Sequence, residues 1–535
     1  MKPRLKPTSL PHFLIALVAV AALGSHPATA QQARLLVGIM VDGLDADCLE
    51  LLRDRMTDDG FRVLTDRGVT MAADYGTDLD ATAATATVFS GAAPSISGVG
   101  GDVHLDRRSL RAAHVYADAD VLGNFSTTGY SPRALRVTNL TDEIRIAGGG
   151  TNVAYSVAAT PGVAIGMAGH TASSAMWLDR KNMAWASSTA YSEIPASIAA
   201  RNRMTPLAMR MDTMSWTPSL APDRYPSLPD YLTRYPFRYV FPRGDAERFE
   251  MFISSPMLNR EVTDLATELI SRMKVGEHEG VVDVLNLGYT LQPVTFGKSP
   301  DKRVETMDAY IKLDHDLARL FSTIDRNVGL NNTVIMLAST PPRRQRRREE
   351  DRWNLPYGEF STRKAASLLN LYLIALHGNG AYVSHYHNGY IYLNHKLIDE
   401  LHLKLSDVRA EAAGLLANMT GVDRVHTLDA ILSGTAGENA EALRRNTSVA
   451  EAGDLLLEVS PGFEIIDDYE NEGPQTRTGM VQSGGTTTAP VYIFAPGVEP
   501  KTLSTPVDAR AIAPTVARIL RIRSPNGAGI APLPL

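Results

Sequence analysis

Apolar positions along the chain fall into two kinds of run. Leu35-Leu36-Val37-Gly38-Ile39-Met40-Val41 continues without a polar break, as a strand does when both faces of a parallel sheet are covered. Val281–Leu287, Thr333–Ala338 and Ala489–Phe494 are further buried-strand candidates, largely rather than wholly apolar, with a shorter strand at Val69–Ala73. Val304–Ile324 instead places Met307, Tyr310, Ile311, Leu317 and Leu320 at helical spacing. Leu44–Leu64 reads as a helical segment, Thr82–Phe89 as a helix opening with a Thr/Ala packing surface, and Ala511–Leu520 as a last helix. Buried strands alternating with helices predict an α/β fold: a doubly wound core sheet with helices on both faces.

The pattern changes at Pro341. Arg343, Arg344, Arg346, Arg347 and Arg348 precede Glu349, Glu350 and Asp351. This mixed-charge segment reads as a solvated loop, and its alternative is a site for an anionic ligand or partner. Residues 357–435 then offer a helix, a Tyr-rich strand region (Tyr382–Leu393) and a helix at Leu405–Leu416. We expect an inserted α+β cap over residues 345–455, within one domain running from 31 to 535.

The amino terminus changes the charge balance. Lys2, Arg4 and Lys6 precede an apolar run from Phe13 to Leu23, then Ala28-Thr29-Ala30. That is the pattern of a signal peptide over residues 1–30, so the chain is expected to be exported, periplasmic or extracellular. The run is too short to span a bilayer comfortably, and no transmembrane segment is expected in the mature chain. The whole chain has 53 basic and 59 acidic residues, a formal charge of −6; without residues 1–30 it is −9. A mildly acidic chain gives no electrostatic reason to expect nucleic acid as a partner. The one cysteine, Cys48, excludes an intramolecular disulfide and a multi-Cys zinc site, and reads as a packed core residue.

Asp42 at the end of the first strand, followed by V-F-S-G-A-A-P-S-I-S-G-V-G-G-D over Val88–Asp102, resembles the alkaline phosphatase superfamily. The resemblance is to the threonine-nucleophile type related to nucleotide pyrophosphatase/phosphodiesterases. It implies an alkaline phosphatase-like domain with two zinc ions on six side chains, a nucleophile, and cations that hold the phosphoryl oxygens. Asp42 matches the first zinc aspartate. The nucleophile position, ten residues before Gly91, falls on Ala81, with Thr82 adjacent as a shifted candidate. An asparagine that helps hold phosphate is matched by Asp102, and a Lys-Asp-Arg segment by Thr160, Pro161 and Gly162. Further zinc positions fall on Thr290, Val294, Ser339 and Thr340, and no histidine follows His426. Of the zinc positions the resemblance implies, Asp42 alone keeps a ligating side chain.

Other candidates carry a structural and a chemical reading. Thr82, Thr85 and Thr87 either pack a helix or hold a displaced nucleophile. His385 and His387, two apart in a strand, point to one face and with His377 or His395 form a possible metal set. His170, near Thr171 and Ser173, is either a structural hydrogen-bonder or part of a Ser–His pair. Two functions follow. The first is a catalytically degenerate exported protein that binds an unknown protein or small molecule in the cell envelope and uses no cofactor. Its former cleft would be lined by Asp42, Thr82, Asp102, Thr160, Thr290, Ser339 and Thr340. The alternative is a phosphatase or phosphodiesterase that uses zinc and Thr82.

Overall fold

The computed structural model describes residues 33–106, 109, 111–226, 237–294, 296–297, 302–342, 358–466 and 487–535. The expected signal peptide (1–30) and the Arg343–Arg348 segment lie outside the described residues.

Among the described residues, eleven strands form one mixed sheet. Through its centre Thr333–Ser339, Leu35–Asp42, Asp283–Thr290, Ala154–Val157 and Ser174–Asp179 run parallel in that order. Thr488–Phe494 closes one side, antiparallel to both Thr333–Ser339 and Val69–Asp74. The central strands are apolar on both faces for a simple reason. Leu35, Val37, Ile39 and Val41 enter one core, while Leu36 and Met40 enter the other. Helices Pro256–Met273 and Arg303–Asn327 cover the first face. Ala81–Ser90, Pro161–Ala168 and Ile512–Leu520 cover the second. Gly38 permits the close approach there: a Cβ would sit 2.4 Å from Asn286 Oδ1 and 3.0 Å from the Phe89 ring. This is the doubly wound α/β core that the apolar runs predict.

The segment Leu44–Leu64 departs from expectation. It is broken into a helix at Ala46–Leu51, a short 3-10 turn at Arg53–Arg55 and a second helix at Phe61–Arg67. The cause is Asp314, far along the chain, whose carboxylate accepts from Thr57 N (2.7 Å), Thr57 Oγ1 (2.8 Å) and Phe61 N (2.8 Å). The second helix is therefore capped from outside. Gly60 makes room, since a Cβ there would lie 2.0 Å from Asp314 Oδ1.

A separate antiparallel sheet joins Val383–His387, Tyr390–Leu393, Leu455–Val459 and Val422–Thr427. Helices Thr362–His377 and Leu405–Leu416 pack on it around Leu369, Tyr386, Ile391 and Leu457, a core of its own. This unit is tied to the main sheet by Asn446, whose Nδ2 donates to Tyr75 O (2.9 Å) and Thr77 Oγ1 (2.7 Å). Asn388 Nδ2 adds a bond to Val103 O (3.0 Å). No helix among the described residues is long and apolar enough to cross a membrane.

Candidate functional site

In an open α/β sheet, ligands gather beyond the carboxyl ends of the parallel strands. Here that edge carries Asp42, Thr290 and the Ser339-Thr340 turn, because the register pairs Asp42 with Thr290 and Val41 with Ser339. Asp42 Oδ1 accepts from Thr340 Oγ1 (2.6 Å) and Gln292 Nε2 (2.9 Å). Thr340 Oγ1 in turn accepts from Gly43 N (2.9 Å). The neighbouring side chains are equally committed. Thr290 Oγ1 accepts from Gln292 N (3.3 Å), and Ser339 Oγ donates to Pro490 O (2.6 Å).

The second half of the edge is built by two helix starts. Asp80 caps Ala81–Ser90: its Oδ1 accepts from Ala83 N (2.8 Å) and its Oδ2 from Asp102 N (2.6 Å). Thr82, in the first turn, donates to Asp102 Oδ1 (2.8 Å). His114 Nε2 lies 3.1 Å from that same oxygen. Thr160 caps Pro161–Ala168 through a bond from Val163 N (3.5 Å). Gly162, two residues further in, presses on the Thr82–Asp102 pair. A Cβ at 162 would lie 2.0 Å from Thr82 Oγ1 and 2.6 Å from Asp102 Oδ1.

Electrostatically the edge is acidic. Burial pushes the Asp80 carboxyl up to about 6, helped by the charges of Asp102 and Asp42 and opposed by its two backbone donors. Asp102 behaves the other way. Burial works against its ionisation, but His114, the Thr82 hydroxyl and the charge of Arg180 outweigh it and hold the carboxyl below its usual range. Thr82 and Thr340 are each 2% exposed and Ser339 is fully buried, so their hydroxyls face protein groups rather than an open cleft.

The zinc that the resemblance implies takes its ligands from Cys, His, Asp and Glu. Around Asp42 the described residues offer the hydroxyls of Thr340 and Thr290 and the amide of Gln292. Val294 is buried in the apolar core. This donor set does not fit zinc. Among the described residues, no three His, Cys, Asp or Glu side chains converge as a metal site.

The histidines flagged in the sequence are dispersed. His377 Nε2 meets Glu411 (2.6 Å), His395 Nε2 meets Asp454 (2.8 Å), and His387 Nε2 lies 3.4 Å from Val103 O. His385 packs edge-on to Tyr392. His170 bridges Asp142 (3.0 Å) and Leu135 O (2.9 Å). Thr85 and Thr87 donate to carbonyls within their own helix. Cys48 packs, partly buried, against the first core.

Three residues of the edge escaped the sequence reading, Gln292, Asp80 and His114, while Gly162 was placed by the resemblance without its contacts. Asp80 carried a signal, an Asp directly before a Thr/Ala-rich helix. The others act through space and had none.

No protein-family model matches the chain. Three characterised relatives do. The "Calcium-transporting ATPase" of Myroides odoratus is 25% identical over 517 residues, 93% of each chain. "Alkaline phosphatase PafA" of Elizabethkingia meningoseptica is 23% identical over 541 residues, 96% of each chain. "Alkaline phosphatase PhoV" of Synechococcus elongatus is 26% identical over 328 residues, 58% of this chain and 59% of that protein. The crystal structure of wild-type PafA superposes with a TM-score of 0.81 at 22% identity, over 94% of this chain and 98% of that one. In fold, and in sequence along most of its length, the chain is similar to alkaline phosphatase PafA, and over a little more than half of its length to PhoV.

Proposed function

We propose that this chain is an exported, catalytically degenerate member of the superfamily that works in the cell envelope by binding a protein or small molecule. The observation that carries the reading is the Thr82–Asp102 pair beneath Gly162. A phosphoryl-transfer nucleophile needs positive charge around it, to neutralise the incoming dianion and lower the hydroxyl's pKa. Thr82 instead donates to a carboxylate (2.8 Å), with Asp80 and Asp42 adding negative charge nearby. Gly162 leaves no space at that point for the side chain of a phosphate-binding cation. Export rests on the residue pattern of positions 1–30.

The names of PafA and PhoV favour a second reading. In it the chain is a zinc-dependent phosphatase or phosphodiesterase with Thr82 as nucleophile. Metal analysis of the purified chain, with turnover of a generic phosphate monoester and diester, separates the two. The first reading expects no stoichiometric zinc, no zinc-dependent rise in Tm and no turnover. Two zinc ions per chain with activity abolished by Asp42→Ala would overturn it.

A further inference from the structure

A cavity of about 90 Å³ lies at the seam between the main sheet and the smaller unit, behind Asp80 rather than in front of Thr82. Its floor is the loop Gly100-Gly101, and the missing side chains are what leave it open. A Cβ on Gly100 would lie 3.1 Å from Glu451 Oε2, and one on Gly101 would lie 3.1 Å from Asp80 Oδ2 and 3.8 Å from Asn388 Nδ2. By the usual allowance of about 10–15 Å³ per water-sized centre, the space holds on the order of six heavy atoms.

The lining carries more negative than positive charge. Asp78, Asp80 and Glu451 supply carboxylates, and no Lys or Arg lines the cavity among the described residues. Asn388 Oδ1 and His104 Nδ1 are buried without a hydrogen-bond partner among the described residues. Burial pushes the Glu451 carboxyl up to about 7, only partly offset by the charge of Arg136. Burial likewise holds His104 below its usual range, so it stays neutral. Uncompensated acceptors of this kind are costly, and a bound cation with N–H donors relieves them. A metal ion is a poorer occupant, because no three ligating side chains converge among the described residues. The apolar walls Leu79, Leu443 and Leu456 suit a short alkyl chain.

We propose that this seam cavity binds a small primary alkylammonium ion, its ammonium group against Glu451 and Asn388 and its alkyl chain against the leucines. The site shares Asp80 with the Asp42 edge, but neither Asp42 nor Thr82 lines it, so it stands whether or not that edge turns over phosphate esters. The test is calorimetric titration of the full chain at pH 8 with butylammonium chloride, with 1-butanol, sodium butyrate and manganese chloride as comparisons. Saturable one-to-one binding of butylammonium, with neither butanol nor butyrate binding, is the expected result. Glu451→Gln and the cavity-filling Gly100→Leu should each weaken it at least tenfold, while Asp42→Ala leaves it unchanged. Melting curves confirm that each variant is folded, and Glu451→Gln decides the matter if Gly100→Leu is not. Absence of saturable binding, equal binding of butanol, tighter binding of manganese, or full affinity in Glu451→Gln would each overturn the proposal.

Discussion

At residue scale the edge is held by hydroxyls that bond to carboxylates, and two substitutions measure how firmly. A methyl group at position 162 would collide with both Thr82 Oγ1 and Asp102 Oδ1. Gly162→Ala should therefore separate that pair and cost about 1–3 kcal/mol, the usual range for overpacking a closed site. Urea denaturation reads the cost, and it should shrink when Thr82→Ala is already present, since the nearer of the two collision partners is then gone. Additive losses would mean that Gly162 does not act through Thr82. Thr340→Val is the second probe. It keeps the shape but leaves Gly43 N without its acceptor and Asp42 with one donor fewer. A loss of about 1–3 kcal/mol is expected from the stranded groups. An unchanged urea midpoint would show that Gln292 suffices to hold Asp42.

At the scale of elements, the helix Leu140–Ala147 shows how a polar junction sets pH response. Asn139 and Asp142 form a reciprocal cap at its start. Asp142 Oδ1 also accepts from His170 N (2.8 Å), Thr171 N (2.9 Å) and Thr171 Oγ1 (2.9 Å). The bond to Asp142 raises the His170 pKa; burial lowers it, and the Asp142 charge and the Leu135 carbonyl raise it, for a net rise above the ordinary 6.5. A raised histidine stabilises the fold fully below its unfolded pKa, and the contribution disappears as pH climbs through the folded pKa. His170→Gln should therefore destabilise the chain near pH 6 and converge with the parent at alkaline pH. Tm measured from pH 6 to pH 9 checks the sign, and a gap that widened with pH would refute the assignment. His170 is over a third exposed, so solvent keeps the effect small. Elements of this kind also mark what a sequence can reveal. The unbroken apolar run at 35–41 and the largely apolar runs at 281–287 and 333–338 announced buried strands, because both faces of the sheet are packed. The helix expected at Leu44–Leu64 was illegible in its broken form. The group that caps its second half, Asp314, lies some 250 residues away.

Across the whole molecule, the sequence placed Asp42 at a strand end and the resemblance brought Thr82, Asp102, Thr160, Thr290, Ser339 and Thr340 to one edge. What it could not place were the partners that decide their chemistry: Gln292 on Asp42, His114 on Asp102, Gly162 on both Thr82 and Asp102. Those contacts depend on how separate strands and helices are stacked, and no local pattern encodes them. The same stacking decides whether the molecule opens as one body or two. The main sheet and the smaller unit have distinct apolar cores, and polar contacts at their seam include the Asn446 and Asn388 bonds. Separate cores joined through polar contacts favour sub-global opening of the smaller unit. Asn446→Ala leaves the Tyr75 carbonyl and the Thr77 hydroxyl without that donor, at a cost of about 1–3 kcal/mol. The cost should fall on the seam. Amide exchange followed by mass spectrometry should accelerate in residues 443–456 and 387–392, with protection of 35–42 and 333–339 unchanged. Equal acceleration in all four segments would mean that the two cores open together and that the seam is as cooperative as the sheet itself.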